Sequence, residues 1–246
     1  MKTLTTKTLW ISMALTCALS TQARADLIVN GGFESGLSGW SRADQVGSEG
    51  TFVLQTGTSS PVNGDPVPAP PGGIRAAMTD AEGPGSHVLY QDFTIPSLLP
   101  GAILNFALFV GNRADRFATP ASLDFGTPTL NQQARVDILA AGADPFSLAP
   151  ADVLLNVFRT NVGDPLVSSG YINHSVDITS LLNSHVGQSL RLRFAETDNL
   201  SIFQYGVDNV SLLESSQVVP EPSTWLFTSC GLVAIVLTLR RRPHVG

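Results

Sequence analysis

Between Asp26 and Glu221 the chain has no cysteine; its two cysteines, Cys17 and Cys230, sit in apolar segments near either end. Disulfides are thereby excluded as the source of stability, and the body must rely on its apolar core or on a bound ion. About 190 residues suffice for one such core. Charge is scarce too, at 14% Asp, Glu, Lys and Arg against 43% hydrophobic residues. That balance excludes a disordered chain. The net charge is −6, and the basic residues form no stripe, so nucleic acid is excluded as a partner. The body holds one tryptophan, Trp40, which limits the flat aromatic surface available for stacking on a sugar. Catalytic signatures are missing as well. There is no GxSxG, HExxH, GxGxxG, P-loop or EF-hand loop. His87, His174 and His185 stand apart in sequence, which favours surface or turn positions over metal ligation. Asp115, Asp124, Glu196 and Asp198 supply acids for glycoside hydrolysis in number, but that chemistry needs a defined separation in space. The expectation is a protein that is not an enzyme and has no catalytic residues.

Gly and Pro are abundant, at 22 and 16 residues, and favour many turns between short strands. Strand patterns recur at Leu27–Val29, Thr51–Gln55, Ile74–Met78, His87–Ile95, Ile103–Val110, Arg135–Leu139, Leu154–Phe158, Tyr171–Ile178, Leu190–Phe194 and Gly206–Leu213. Several alternate polar and apolar residues, and LRLRF puts Arg191 and Arg193 on one face. Thr179 to His185 reads as one helical turn with Thr179 near its start. The fold class predicted is all-β, an antiparallel β-sandwich over residues 26–214. Two loops stand out. Residues 57–73 are rich in Pro, Gly and Ser and read as a surface loop. Residues 111–133 are long, polar and carry Phe117 and Phe125, with Arg113, Asp115 and Arg116 near the start; loops of that length usually serve a function.

The two ends read as processing segments. Lys2 and Lys7, the apolar Leu9–Leu19 and the small-x-small Ala23-Arg24-Ala25 predict a signal peptide over 1–25 handled by the export translocon. At the other end, residues 215–224 form a linker ending in Val219-Pro220-Glu221-Pro222-Ser223-Thr224. An uncharged apolar run, 225–239, follows, and then a basic tail, 240–246, with Arg240, Arg241 and Arg242. As a helix the run extends about 22 Å, short of a bilayer core of about 30 Å. The arginines would hold its end in the cytoplasm and leave the body outside.

This tail resembles the PEP-CTERM sorting signal of Gram-negative bacteria. The resemblance implies an exosortase as a transient membrane partner, a transient anchor, and a final place at the cell surface or in an exopolysaccharide or biofilm matrix. The body has its own resemblance. VNGGFESGLSGW at 29–40, with VDITSLLNSHVGQSLRLRF at 176–194 and YGVDNVSL at 205–212, is similar to the opening and closing of carbohydrate-binding-module-like jelly rolls of the galactose-binding-domain-like fold. It implies that Glu34 and Asp208 meet and help bind a structural calcium ion, an all-oxygen site. The alternative is that Glu34 caps a turn and Asp208 bonds backbone amides. For a sugar, Phe203 and Tyr205 share a strand face and Asn199 lies just before them, giving a small candidate ligand platform. In this fold family Trp40 packs under the sandwich. The expected role is binding or structural, with a dedicated glycan binder and a polysaccharide hydrolase as alternatives.

Overall fold

A computed structural model describes residues 26–80 and 83–214. The expected signal peptide, sorting motif and membrane helix lie outside the described residues. Strands run β1 Ser41–Asp44, β2 Thr51–Thr56, β3 Arg75–Asp80, β4 Gly85–Thr94, β5 Ala102–Asn112, β6 Gln132–Ala140, β7 Val153–Arg159, β8 Ile172–Asp177, β9 Ser189–Asp198 and β10 Phe203–Glu214, with one helix, α1, at Thr179–Asn183. Two five-stranded sheets form, ordered β1-β4-β9-β6-β7 and β2-β3-β10-β5-β8. Every strand pair is antiparallel. The chain is an antiparallel β-sandwich. Among the described residues, no helix is long and apolar enough to cross a membrane.

Alternation decides which side chains enter the core. Leu190, Leu192 and Phe194 of β9 face inward with Val136 and Ile138 of β6 and Leu89 of β4. They meet Leu104, Phe106 and Leu108 of β5 and Tyr205 and Val207 of β10 from the other sheet. Phe194 crosses the gap, with its ring 5.8 Å from Phe106 and 5.9 Å from Trp40. Trp40 is buried, as expected, and its indole N–H donates to the Asn30 carbonyl at 3.1 Å.

The expected strand at 27–29 is replaced by a clasp. Only Asp26 bridges to Leu213. The Gln91 side chain accepts from Val29 N–H at 2.7 Å and donates to its carbonyl at 2.9 Å, taking the place of a ladder neighbour. Asn30 and Phe33 adopt left-handed backbone, with φ of 53° and 56°. Asn30 makes this tolerable because its side chain bonds the Gly36 and Ser38 carbonyls. β1 has no counterpart among the strand patterns above, because Ser-Arg-Ala-Asp shows no apolar alternation. At α1, Asp177 Oδ1 accepts the Thr179 N–H at 2.9 Å.

Loops cover both outer faces. The 57–74 loop lies on the second sheet, where Val67 packs with Met78 and Phe109. The 113–131 and 141–152 loops lie on the first.

Candidate functional site

Arg191 and Arg193 do share a face, and it is the outer face of the first sheet. Both are buried there. Arg191 lies 4.0 Å from the Tyr90 ring centroid and is held by Asp92 at 2.7 and 2.9 Å. Arg193 pairs with Asp137, which also takes two bonds of 2.7 Å from Arg135. The remaining guanidinium donors fix the 141–152 loop. Arg191 reaches the Ala143 carbonyl at 2.8 Å, and Arg193 reaches Pro145 and Ser147 at 2.7 and 2.8 Å. Backbone carbonyls bound by buried cations leave little freedom, so this loop is pre-organised.

The facing 113–131 loop is anchored from three sides. Asn131 donates to the Ser122 and Asp124 carbonyls, Gln133 to Pro120 and Ser122, and Asn199 to Phe125 and Thr129. Phe117 and Leu123 are buried beneath it. Between the two loops lies an open cleft of about 620 Å³ lined by Gln45, Ser122, Asp124, Phe146, Leu148 and Pro150 among others. Gln45 donates to Asp124 Oδ1 at 2.7 Å. Bonds from the Gly126 N–H and then from Gln45 hold the exposed Asp124 carboxyl below its usual range, so it is an anionic acceptor. An apolar ring, two apolar neighbours and fixed polar groups in one concavity suit a ligand with both apolar and hydroxylated faces.

A second gap, about 480 Å³, opens between the edge strands β7 and β8 and is mostly apolar. His174 sits there, stacked on Phe106 at 5.1 Å and edge-on to Phe158 at 5.0 Å, and burial pushes its pKa down.

The residues singled out from sequence fare differently. Phe203 and Tyr205 do share a face, but it is the core face, and both have zero exposure. The expected stacking platform is corrected accordingly. Asn199 is a clamp for the 113–131 loop rather than part of a ring-lined site. His185 is a turn residue, its Nδ1 2.9 Å from the Leu181 carbonyl. His87, expected at the surface, is fully buried. Glu196 and Asp198 are buried as well, out of reach of a polymer. Among the described residues Asp115 pairs with exposed Arg116 at 3.4 Å, and Arg113 reaches Asp65 of the 57–74 loop at 3.3 Å.

Glu34 and Asp208 each bond the same loop, at neighbouring residues. Glu34 Oε1 accepts the N–H groups of Ile74 and Arg75, both at 2.9 Å. Asp208 accepts from Gly72 at 3.1 Å and from Asn209 at 2.7 Å. Burial, with the Glu34 charge as a smaller contribution, pushes the Asp208 carboxyl up to about 6. The backbone-capping arrangement is thus present. Backbone N–H groups occupy Oε1 of Glu34 and both oxygens of Asp208, so a calcium ion would have to use the remaining lone pairs of these oxygens.

The cleft's Gln45, Phe146 and Leu148 went unmarked in sequence. The signal available was Gly142-Ala143-Asp144-Pro145, a turn followed by apolar residues at alternate positions with no strand to bury them.

No family model and no curated protein matches this chain. The fold is similar to the K3 cleaved adhesin domain of Lys-gingipain from Porphyromonas gingivalis w83, at 14% identity over 78% of this chain and 100% of that one, TM-score 0.48. It is similar to TmCBM61, solved in complex with β-1,4-galactotriose, at 10% identity over 78% and 99%, TM-score 0.45. A Stig cyclase, Fisc from Fischerella sp. TAU, is 16% identical over 78% and 98%, TM-score 0.45. The similarity is one of fold.

Proposed function

We propose that this is an exported protein of the cell surface or extracellular matrix whose sandwich binds polysaccharide, and whose tail is read and trimmed by an exosortase. The sequence of the tail carries the first part: Val219-Pro220-Glu221-Pro222-Ser223, then a short apolar run, then Arg240-Arg241-Arg242. The pre-organised cleft supports the second. β10 ends where Glu214 pairs with Ala102, at the start of β5, while the 113–131 loop follows Asn112 at its far end. The described chain thus ends at the opposite end of the sheet from that loop.

Mass spectrometry of the protein recovered from cells tests the sorting reading. The expected mass begins at Asp26 and stops near Pro220-Glu221-Pro222. Recovery of the intact chain from the cytosol would overturn it. The binding reading is tested on a glycan array that includes the host's own polysaccharide. Phe146→Ala should lose at least tenfold in affinity with melting nearly unchanged, since the ring is only half-buried. Absence of binding to any glycan would sink this part.

Calcium at Glu34 and Asp208 belongs to the same reading, as a stabiliser of the domain's closure. Calcium is expected to raise the melting temperature of wild type but not of Asp208→Ala. The pH dependence has a definite sign. An acid raised from about 4 in the unfolded chain to about 6 in the fold contributes stability below that window and loses it as pH rises through it. In metal-free buffer Asp208→Asn should flatten that slope. An identical calcium response in wild type and Asp208→Ala would end the calcium reading.

A further inference from the structure

β4 begins Gly85-Ser86-His87 and β9 ends Glu196-Thr197-Asp198. Their register sets His87 opposite Glu196 and Gly85 opposite Asp198. Glu196 and Asp198 continue the inward series of Leu190, Leu192 and Phe194, as His87 continues that of Leu89. All three therefore point between the sheets. His87 and Glu196 have zero exposure and Asp198 has 1%. One ligand atom from each lies within 4.8 Å of the others. Neither oxygen of Glu196 has a hydrogen-bond partner, and neither has His87 Nε2.

Such a group is expensive to bury. A carboxyl group taken from water with no bond to either oxygen has nothing in place of its lost hydration. The imidazole is also oriented from behind. His87 Nδ1 lies 2.8 Å from Asp44 Oδ1 at the end of β1. With Asp44 accepting a hydrogen bond from Nδ1–H, the Nε2 lone pair turns toward the two inner acids. Carboxylate behind, imidazole between, metal in front is the common support of a metal-bound histidine. Gly85 keeps the space open, since a Cβ there would lie 2.3 Å from His87 Nε2.

We propose that His87, Glu196 and Asp198 form a buried site for a divalent transition-metal ion, zinc by preference, held between the two sheets. An imidazole with two carboxylates selects zinc or manganese over calcium, which prefers oxygen alone. Tetrahedral ligands on bonds of about 2.1 Å lie about 3.4 Å apart, so binding needs these side chains, whose ligand atoms lie within 4.8 Å of one another, to draw together by up to about 1.4 Å. The second oxygen of either carboxylate can fill the remaining position. The ion would neutralise both acids and tie β4 to β9, in a domain with no disulfide.

The test is zinc uptake by the full-length protein after stripping with EDTA. Metal analysis should find one zinc per chain, and zinc should raise the melting temperature by several degrees. Glu196→Gln should abolish stoichiometric uptake, yet melt at or above the metal-free wild type because its amide carries no charge to bury. Asp44→Asn removes the support without removing a ligand and should weaken zinc by about 10–100-fold. Asp208→Ala should keep full uptake, which separates this site from the calcium reading. Cobalt(II) absorption in wild type, indicating one nitrogen among oxygen ligands, checks the site without any variant. Zinc that leaves melting unchanged, or uptake by Glu196→Gln equal to wild type, would overturn the proposal.

Discussion

Asp137→Ala is expected to cost about 3–5 kcal/mol of folding stability, measured by urea unfolding, because it strips the counter-charge from buried guanidinium groups. Asp137 has no exposure and takes bonds from Arg135, Arg193 and Asn156. Burial works against its charge, but the bonds and charges of the two arginines outweigh this and hold its carboxyl below the usual range. Arg193 shows the opposite balance. Desolvation pushes its guanidinium below its ordinary value in spite of Asp137. The pair as a whole is therefore worth less than the loss of one member suggests. Replacing both, as Asp137→Leu with Arg193→Met, should recover much of the single-variant loss. The sign with pH also follows. A depressed acid contributes stability above its unfolded value of about 3.9 and loses it as pH falls below that toward the folded value. Wild type should thus lose stability below about pH 4 more steeply than the double variant. Arg193 also holds the 141–152 loop, so the double variant should bind glycan less well even where it is stable.

Gly31→Ala should cost roughly 3–6 kcal/mol, for a reason no side-chain movement can relieve. A Cβ at Gly31 would lie 1.7 Å from the Val210 carbonyl oxygen. That is backbone of β10, and the Val210 N–H bonds the Gly31 carbonyl at 2.9 Å. The variant must lift the N-terminal clasp from the sheet edge. Ile28 and Phe33 are buried by that clasp, and each such side chain contributes about 1.5–3 kcal/mol. Gly32→Ala is the control, because a Cβ there meets nothing within 4 Å. Equal melting temperatures for the two variants would show that the clasp contributes nothing to the fold.

The sandwich was legible because its core strands alternate. LRLRF and the apolar run at 103–110 fell where strands form, since burial on one or two faces leaves a period in the sequence. The site was less so. Phe203 and Tyr205 share a face by the same rule, yet alternation cannot tell a core face from a solvent face without the second sheet. Arg191 and Arg193 look like an exposed face until the 141–152 loop closes over them. His87 lies more than a hundred residues from Glu196 and Asp198, and only the β4–β9 register brings the three together. Asp44, which orients the histidine, belongs to a four-residue polar strand with no apolar signal at all.

The clasp has a temporal consequence. Asp26 and Leu27 find their partners at Leu212 and Leu213. A chain threaded from its amino end cannot seal its first segment until almost the whole body has emerged. Closure across so great a sequence separation carries a large loop entropy and is intrinsically slow. Until then Ile28 and Phe33 remain uncovered, and the newly emerged chain presents its apolar interior to whatever waits outside.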